Sequence, residues 1–161
     1  MGDEISTSTF SREQRQRYRE KVRRCLDVFA QMLTQDAFTT DVQLTGLEIE
    51  LNLVDSGWRP AMANAEVLHA IADPAYQTEL ARYNIELNVP PQPLPGEAVL
   101  QLEEQLRNSM NEADQKAQLH GASIVMIGVL PTLRTEDLTG EWMSANERYR
   151  ALEEAIFASR R

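Results

Sequence analysis

Apolar and polar residues alternate without a break over residues 46–54, Gly-Leu-Glu-Ile-Glu-Leu-Asn-Leu-Val. Leu47, Ile49, Leu51 and Leu53 fall on one face, Glu48, Glu50 and Asn52 on the other. That is the period of a strand with one side against a core. The polar side is unusual, because Glu is a poor strand former. Glu48 and Glu50 stand on the same face, with Cβ atoms about 6–7 Å apart by the strand rise. Carboxylates that close repel unless protons or a cation relieve them. The pair therefore points to a hard cation such as magnesium. A solvated sheet face carrying two glutamates gives the same pattern.

A second alternation covers residues 80–89. Its even positions are Arg82, Asn84, Glu86 and Asn88; its odd positions are Ala81, Tyr83, Ile85, Leu87 and Val89. If both strands share a sheet and bury their apolar faces, the acids, amides and Arg82 gather on the opposite face. Glu79 has the parity of the apolar face and can join them only from a loop or across a bulge. The proline-rich stretch 90–96 reads as a rigid connector that cannot be a central strand.

Helical periodicity marks three further segments. Ser11 followed by Gln14 is a capping-box start, and Tyr18, Val22, Cys25, Leu26, Phe29, Met32 and Leu33 then recur at helical spacing. Cys25 lies on that stripe, which reads as a buried structural thiol. Asn64 is placed to cap a short helix over 65–72, before Asp73-Pro74. Val99, Leu102, Leu106, Met110, Ala113, Ala117 and Leu119 define a long helix, with Gly121 at the C′ position. Residues 122–130 are almost continuously apolar and predict a strand buried on both faces. A long polar loop then leads to a helix over about 145–159, with Tyr149, Leu152, Ile156 and Phe157 inward. Residues 1–10 read as a flexible tail.

Composition narrows the function. The 161 residues suit one domain with a real core. The formal charge of −9 argues against a nucleic-acid partner, although residues 12–24 are rich in Arg and Lys. No apolar run approaches a membrane span and no signal peptide is visible, so no membrane partner is expected. The sole cysteine excludes an internal disulfide and fits a reducing cytoplasm. There is no P-loop, no G-x-G-x-x-G, no zinc spacing and no Ser/His/Asp order.

Three segments together carry a family resemblance: Gly46-Leu47-Glu48-Ile49-Glu50-Leu51, Glu79-Leu80 through Ile85-Glu86-Leu87-Asn88-Val89-Pro90, and Met143-Ser144-Ala145-Asn146-Glu147-Arg148-Tyr149. From about residue 44 onward the chain resembles the glutamate–cysteine ligase family 2 proteins, the bacterial carboxylate–amine ligases. The resemblance implies an α+β fold related to glutamine synthetase, an antiparallel-rich sheet with helices on one face. It implies ATP and Mg2+ (or Mn2+) as co-substrate and cofactor, and activation of a carboxylate as an acyl phosphate that an amine attacks. Glutamate and cysteine are the default substrates, and the partners are small molecules.

By the same resemblance, Glu48, Glu50, Glu79 and Glu86 match the metal-binding acids. Glu86 and Arg82 are the expected catalytic residues, and Asn52, Asn84, Asn88 and Arg148 the expected substrate or nucleotide contacts. Family members are longer, so residues 11–161 are expected to be the N-terminal part of a catalytic domain, exposing apolar surface and prone to self-association. The alternative is a non-catalytic metal- or partner-binding fragment that needs further sequence or a second chain.

Overall fold

The computed structural model describes residues 9–38, 42–93, 95–139 and 141–160. Most of the expected tail, residues 1–8, and part of the loop before the first strand, residues 39–41, lie outside the described residues. Contacts within the chain divide it into two units, Leu44–Ala145 and a second made of Met1–Gln43 with Asn146–Arg161.

The first unit is an α+β layer pair. Strand β1 (Thr45–Val54) runs antiparallel to β3 (Asn84–Gln92), which also pairs with the short β2 (Tyr76–Thr78). Strand β4 (Ser123–Val125) adds to the other side of β1, giving a four-stranded antiparallel sheet in the order β2-β3-β1-β4. One face meets helices α2 (Asn64–Ile71) and α3 (Ala98–Gln118). Leu51, Leu53, Ile85 and Leu87 from the sheet pack with Val67 and Ile71 of α2 and with Ala113 and Ala117 of α3. Each fully buried leucine or isoleucine contributes about 1.5–3 kcal/mol. The two alanines, one helical turn apart, lie on the same face of α3 and keep its packed side slim.

The expected face assignment of β1 and β3 holds, and it puts the polar residues in register. Glu48 lies opposite Asn88, Glu50 opposite Glu86, and Asn52 opposite Asn84. Leu47 keeps the apolar parity but is exposed, because burial of β1 begins only toward its C-terminal half.

Several expectations are corrected. The second alternating segment becomes β3 only from Asn84, and Ala81 instead forms an isolated bridge to Met143. Pro90 and Pro91 belong to β3 although they read as a connector. Two features admit them. β2 has ended, so one side of β3 is free of a ladder partner there. Between the pairs Leu47–Val89 and Thr45–Gln92 the register also shifts, with an extra residue on the proline side. The run 122–130 yields just three strand residues, while Met126, Ile127 and Val129 are exposed. Asn52 Nδ2 donates to the Ile127 carbonyl at 2.8 Å, so past Val125 the chain leaves the edge of β1 and turns across the sheet's polar face. Asn64 is the first residue of α2 rather than its cap, and its side chain turns inward. Leu119 is exposed and Gly121 lies two residues past the end cap of α3.

The loop that follows is anchored. Arg59 donates to both carboxylate oxygens of Asp137 at 2.7 and 2.8 Å and to the Thr132 carbonyl at 2.6 Å. Thr132 Oγ1 returns a hydrogen bond to the Trp58 carbonyl.

In the second unit, α1 (Arg12–Thr34) starts at the expected capping box: Gln14 N donates to Ser11 Oγ at 3.2 Å and Ser11 N to Gln14 Oε1 at 2.7 Å. Among its described residues none is buried, and Cys25 is exposed rather than part of a core. Helix α4 (Glu147–Ser159) is capped by Asn146, whose Oδ1 accepts from Arg148 N at 2.9 Å. Tyr149 is buried, whereas Leu152, Ile156 and Phe157 are exposed. Among the described residues no helix is long and apolar enough to cross a membrane.

Candidate functional site

The polar face of the sheet is the place to look, because register fixes what stands beside what. Directly opposed residues on antiparallel strands hold their Cβ atoms about 4.5–5.5 Å apart. Glu50 and Glu86 are such a pair, and Gln77 of β2 stands on the other side of Glu86. The three form a row across the sheet, acid beside acid beside amide.

Glu79 joins this row from outside the strands. It follows β2 directly, in the loop before β3, and is half-buried. Burial pushes its carboxyl above the usual value; the Leu80 amide pulls it back, while a hydrogen bond shared with Glu86 and the charges of Glu86 and Glu50 push it up again. Strand parity excluded Glu79 from this face, and a loop brings it there. Thus Glu86 and Glu50 both act on Glu79. Glu48 is exposed two residues along β1, opposite Asn88.

The amides separate into two kinds. Asn84 Nδ2 donates to Asn52 Oδ1 at 2.9 Å, and Asn52 Nδ2 is held by Ile127, so this pair is satisfied within the protein. Asn88 Nδ2 is different: it is buried, and among the described residues it finds no acceptor. The Asn88 residue lines a cleft of about 560 Å³ together with Gly46, Leu47, Glu48, Val89, Pro90 and Pro91. A buried donor with no acceptor costs about 1–3 kcal/mol.

Arg82 turns elsewhere. Its guanidinium donates to the carbonyls of Met62 at 3.1 Å and Glu141 at 3.4 Å. Arg148 belongs to the other unit, on α4. Among the described residues none of the four acids forms an ion pair with an Arg or Lys.

Carboxylates are hard oxygen donors of the kind a divalent cation takes. As they stand, the described residues contain no group of three His, Cys, Asp or Glu side chains gathered tightly enough to hold an ion.

Sequence reasoning missed Gln77, Asn64 and Ser144. Gln77 lies on a three-residue strand too short to show alternation. Asn64 resembled a helix cap. Ser144 sat inside a recognised segment with no role attached to it.

The family model for glutamate-cysteine ligase family 2 matches residues 44–159. No curated protein and no solved structure gives a match, so the relationship to glutamine synthetase rests on the family resemblance alone.

Proposed function

The chain belongs to glutamate–cysteine ligase family 2, and from that premise we propose that it serves an ATP-dependent carboxylate–amine ligase reaction. Glutamate and cysteine are the default pair, joined by a γ-glutamyl amide, in the cytoplasm. The substrate carboxylate takes the γ-phosphoryl group of ATP and ADP departs. The amine nitrogen then attacks the acyl carbon, phosphate leaves with the C–O electron pair, and the nitrogen gives up a proton as the amide forms.

The observation that carries this reading is the meeting of Glu50, Glu79 and Glu86 on one sheet face. By the family resemblance these three, with Glu48 two residues further along β1, are the acids that would serve Mg2+ or Mn2+, although as described they are not gathered tightly enough to hold an ion. A bound divalent cation neutralises the phosphate oxygens and polarises the transferring group. Asn88, which lines the cleft beside Glu48, is kept as a substrate or nucleotide contact. Asn52 and Asn84 brace the site and the chain after β4. Arg82 fixes the approach to β3 through the Met62 and Glu141 carbonyls, and Arg148 is retained as a substrate contact on the strength of the family resemblance.

Binding without turnover is the competing reading. It is favoured by the lack, among the described residues, of a cationic side chain paired with these acids. Phosphate release from ATP in the presence of glutamate and a panel of amines separates the two. A ligase releases phosphate only when carboxylate and amine are both present, and Glu86→Gln lowers that rate about a hundredfold or more, which is about 2.7 kcal/mol of activation free energy, with little change in melting temperature. Metal binding with no amine-dependent release under any pairing selects the binding module.

A further inference from the structure

Helix α1 runs for 23 residues, and none of them is buried. A helix that only meets water has no use for an apolar stripe. Yet Tyr18, Val22, Leu26, Phe29 and Leu33 recur at helical spacing and are between 38% and 69% exposed. They run along one side of the helix for about four turns. The charges are sorted around that stripe. Each residue turns the helix by about 100°, which puts Arg12, Arg19 and Arg23 along one edge and Arg17, Lys21 and Arg24 along the other. Arg15 falls at the N-terminal end of the stripe, while the acids Glu13, Glu20 and Asp27 all lie on the opposite side of the helix. Among the described residues none of these cations forms an ion pair.

That sorting says what covers the stripe. A helix packed on protein needs apolar contact but no cations along both edges, and a protein groove that matched it would need acids on both walls. An anionic bilayer presents negative headgroups on every side of a helix lying flat, with an apolar layer just beneath them. The positive charge is local, since the chain carries −9 overall, so the contact is oriented through α1. Lying on a bilayer requires no span, and no described helix is long and apolar enough to cross one. We propose that α1 docks in the plane of an anionic lipid surface, with its apolar stripe against the acyl chains and its two cationic edges at the headgroups. The acids on the far side of the helix then face water, away from the lipid charge.

The test uses the whole chain and vesicles, either phosphatidylcholine alone or an equal mixture with phosphatidylserine, with bound protein measured by flotation. Wild type should bind the mixed vesicles about tenfold or more tighter than phosphatidylcholine alone, and added salt should weaken that preference. Val22→Gln combined with Leu26→Gln, which keeps helix-forming residues in the stripe, should lose most of the binding with no change in melting temperature. Glu20→Lys combined with Lys21→Glu keeps the net charge but moves one cation from an edge to the far side, about a helix diameter from the lipid and beyond a Debye length at physiological salt. It should weaken binding about five- to tenfold. A polarity-sensitive fluorophore on Cys25, which lies on the stripe and is the sole cysteine, should shift to the blue on the mixed vesicles. Equal binding to both vesicle types overturns the proposal, as does full binding by the charge-swapped variant or bound protein whose Cys25 label does not shift. Absent binding in wild type overturns it as well, and self-association that Val22→Gln with Leu26→Gln abolishes then assigns the stripe to a second copy.

Discussion

Folding raises the affinity of the Glu79 carboxyl for its proton, and burial is the leading cause. The sign follows from linkage. The group contributes its stability fully below the unfolded value near 4.5 and loses it as pH climbs through the raised folded value. At neutral pH an ionised Glu79 therefore opposes folding. Glu79→Gln, neutral at every pH, should melt higher than wild type at pH 7 in metal-free buffer. The margin should shrink to nothing as pH falls below about 4.5. A constant margin across that range, or a lower melting temperature at pH 7, contradicts the placement of Glu79 among the acids. The same residue shows the reach of sequence reading. Glu48, Glu50 and Glu86 were legible from alternation alone, because their side chains obey the strand period. Glu79 was legible only through the family resemblance, since a loop overrides local parity. Ser144 and Asn64 were not legible, because the partners of their side chains lie 65 or more and 17 or more residues away in the chain.

Among elements, β1 and β3 carry the fold and were the easiest to read. Leu51, Leu53 and Ile85 are fully enclosed between sheet and helices. Leu53→Ala should cost about 2–5 kcal/mol, seen as a lower urea midpoint with unchanged slope; a loss below about 1 kcal/mol would mean that the helices do not pack as described. The short elements escaped the sequence. β2 has three residues, too few for a period, and β4 is cut short when Asn52 captures the Ile127 carbonyl. No pattern of apolar residues encodes that capture, so 122–130 looked like a buried strand. The long polar loop after it draws its order from distant side chains. Arg59 Nη2 grips both carboxylate oxygens of Asp137 in an ion pair whose side chains are 26% and 15% exposed. Arg59→Ala should loosen this loop and lower stability by about 1–3 kcal/mol, read by melting and by faster amide exchange at residues 132–137. Unchanged exchange there would show that the loop holds itself.

For the molecule as a whole, charge and exposed apolar surface are set apart in sequence. The chain carries −9 overall while α1 is rich in arginine. Tyr18, Val22, Leu26, Phe29 and Leu33 on α1 are exposed, as are Leu152, Ile156 and Phe157 on α4. Such surface favours association. Sedimentation should show mass rising with concentration, and Leu26→Lys combined with Phe29→Lys should suppress it without moving the melting temperature. A monomer at every concentration would remove that expectation. The central claim concerns the acidic face, and manganese titration by calorimetry tests it most directly. Wild type should bind manganese in a saturable isotherm, and Glu50→Gln combined with Glu86→Gln should abolish the heat while leaving the fold intact. Indistinguishable isotherms for the two proteins would contradict the account and leave a solvated sheet face.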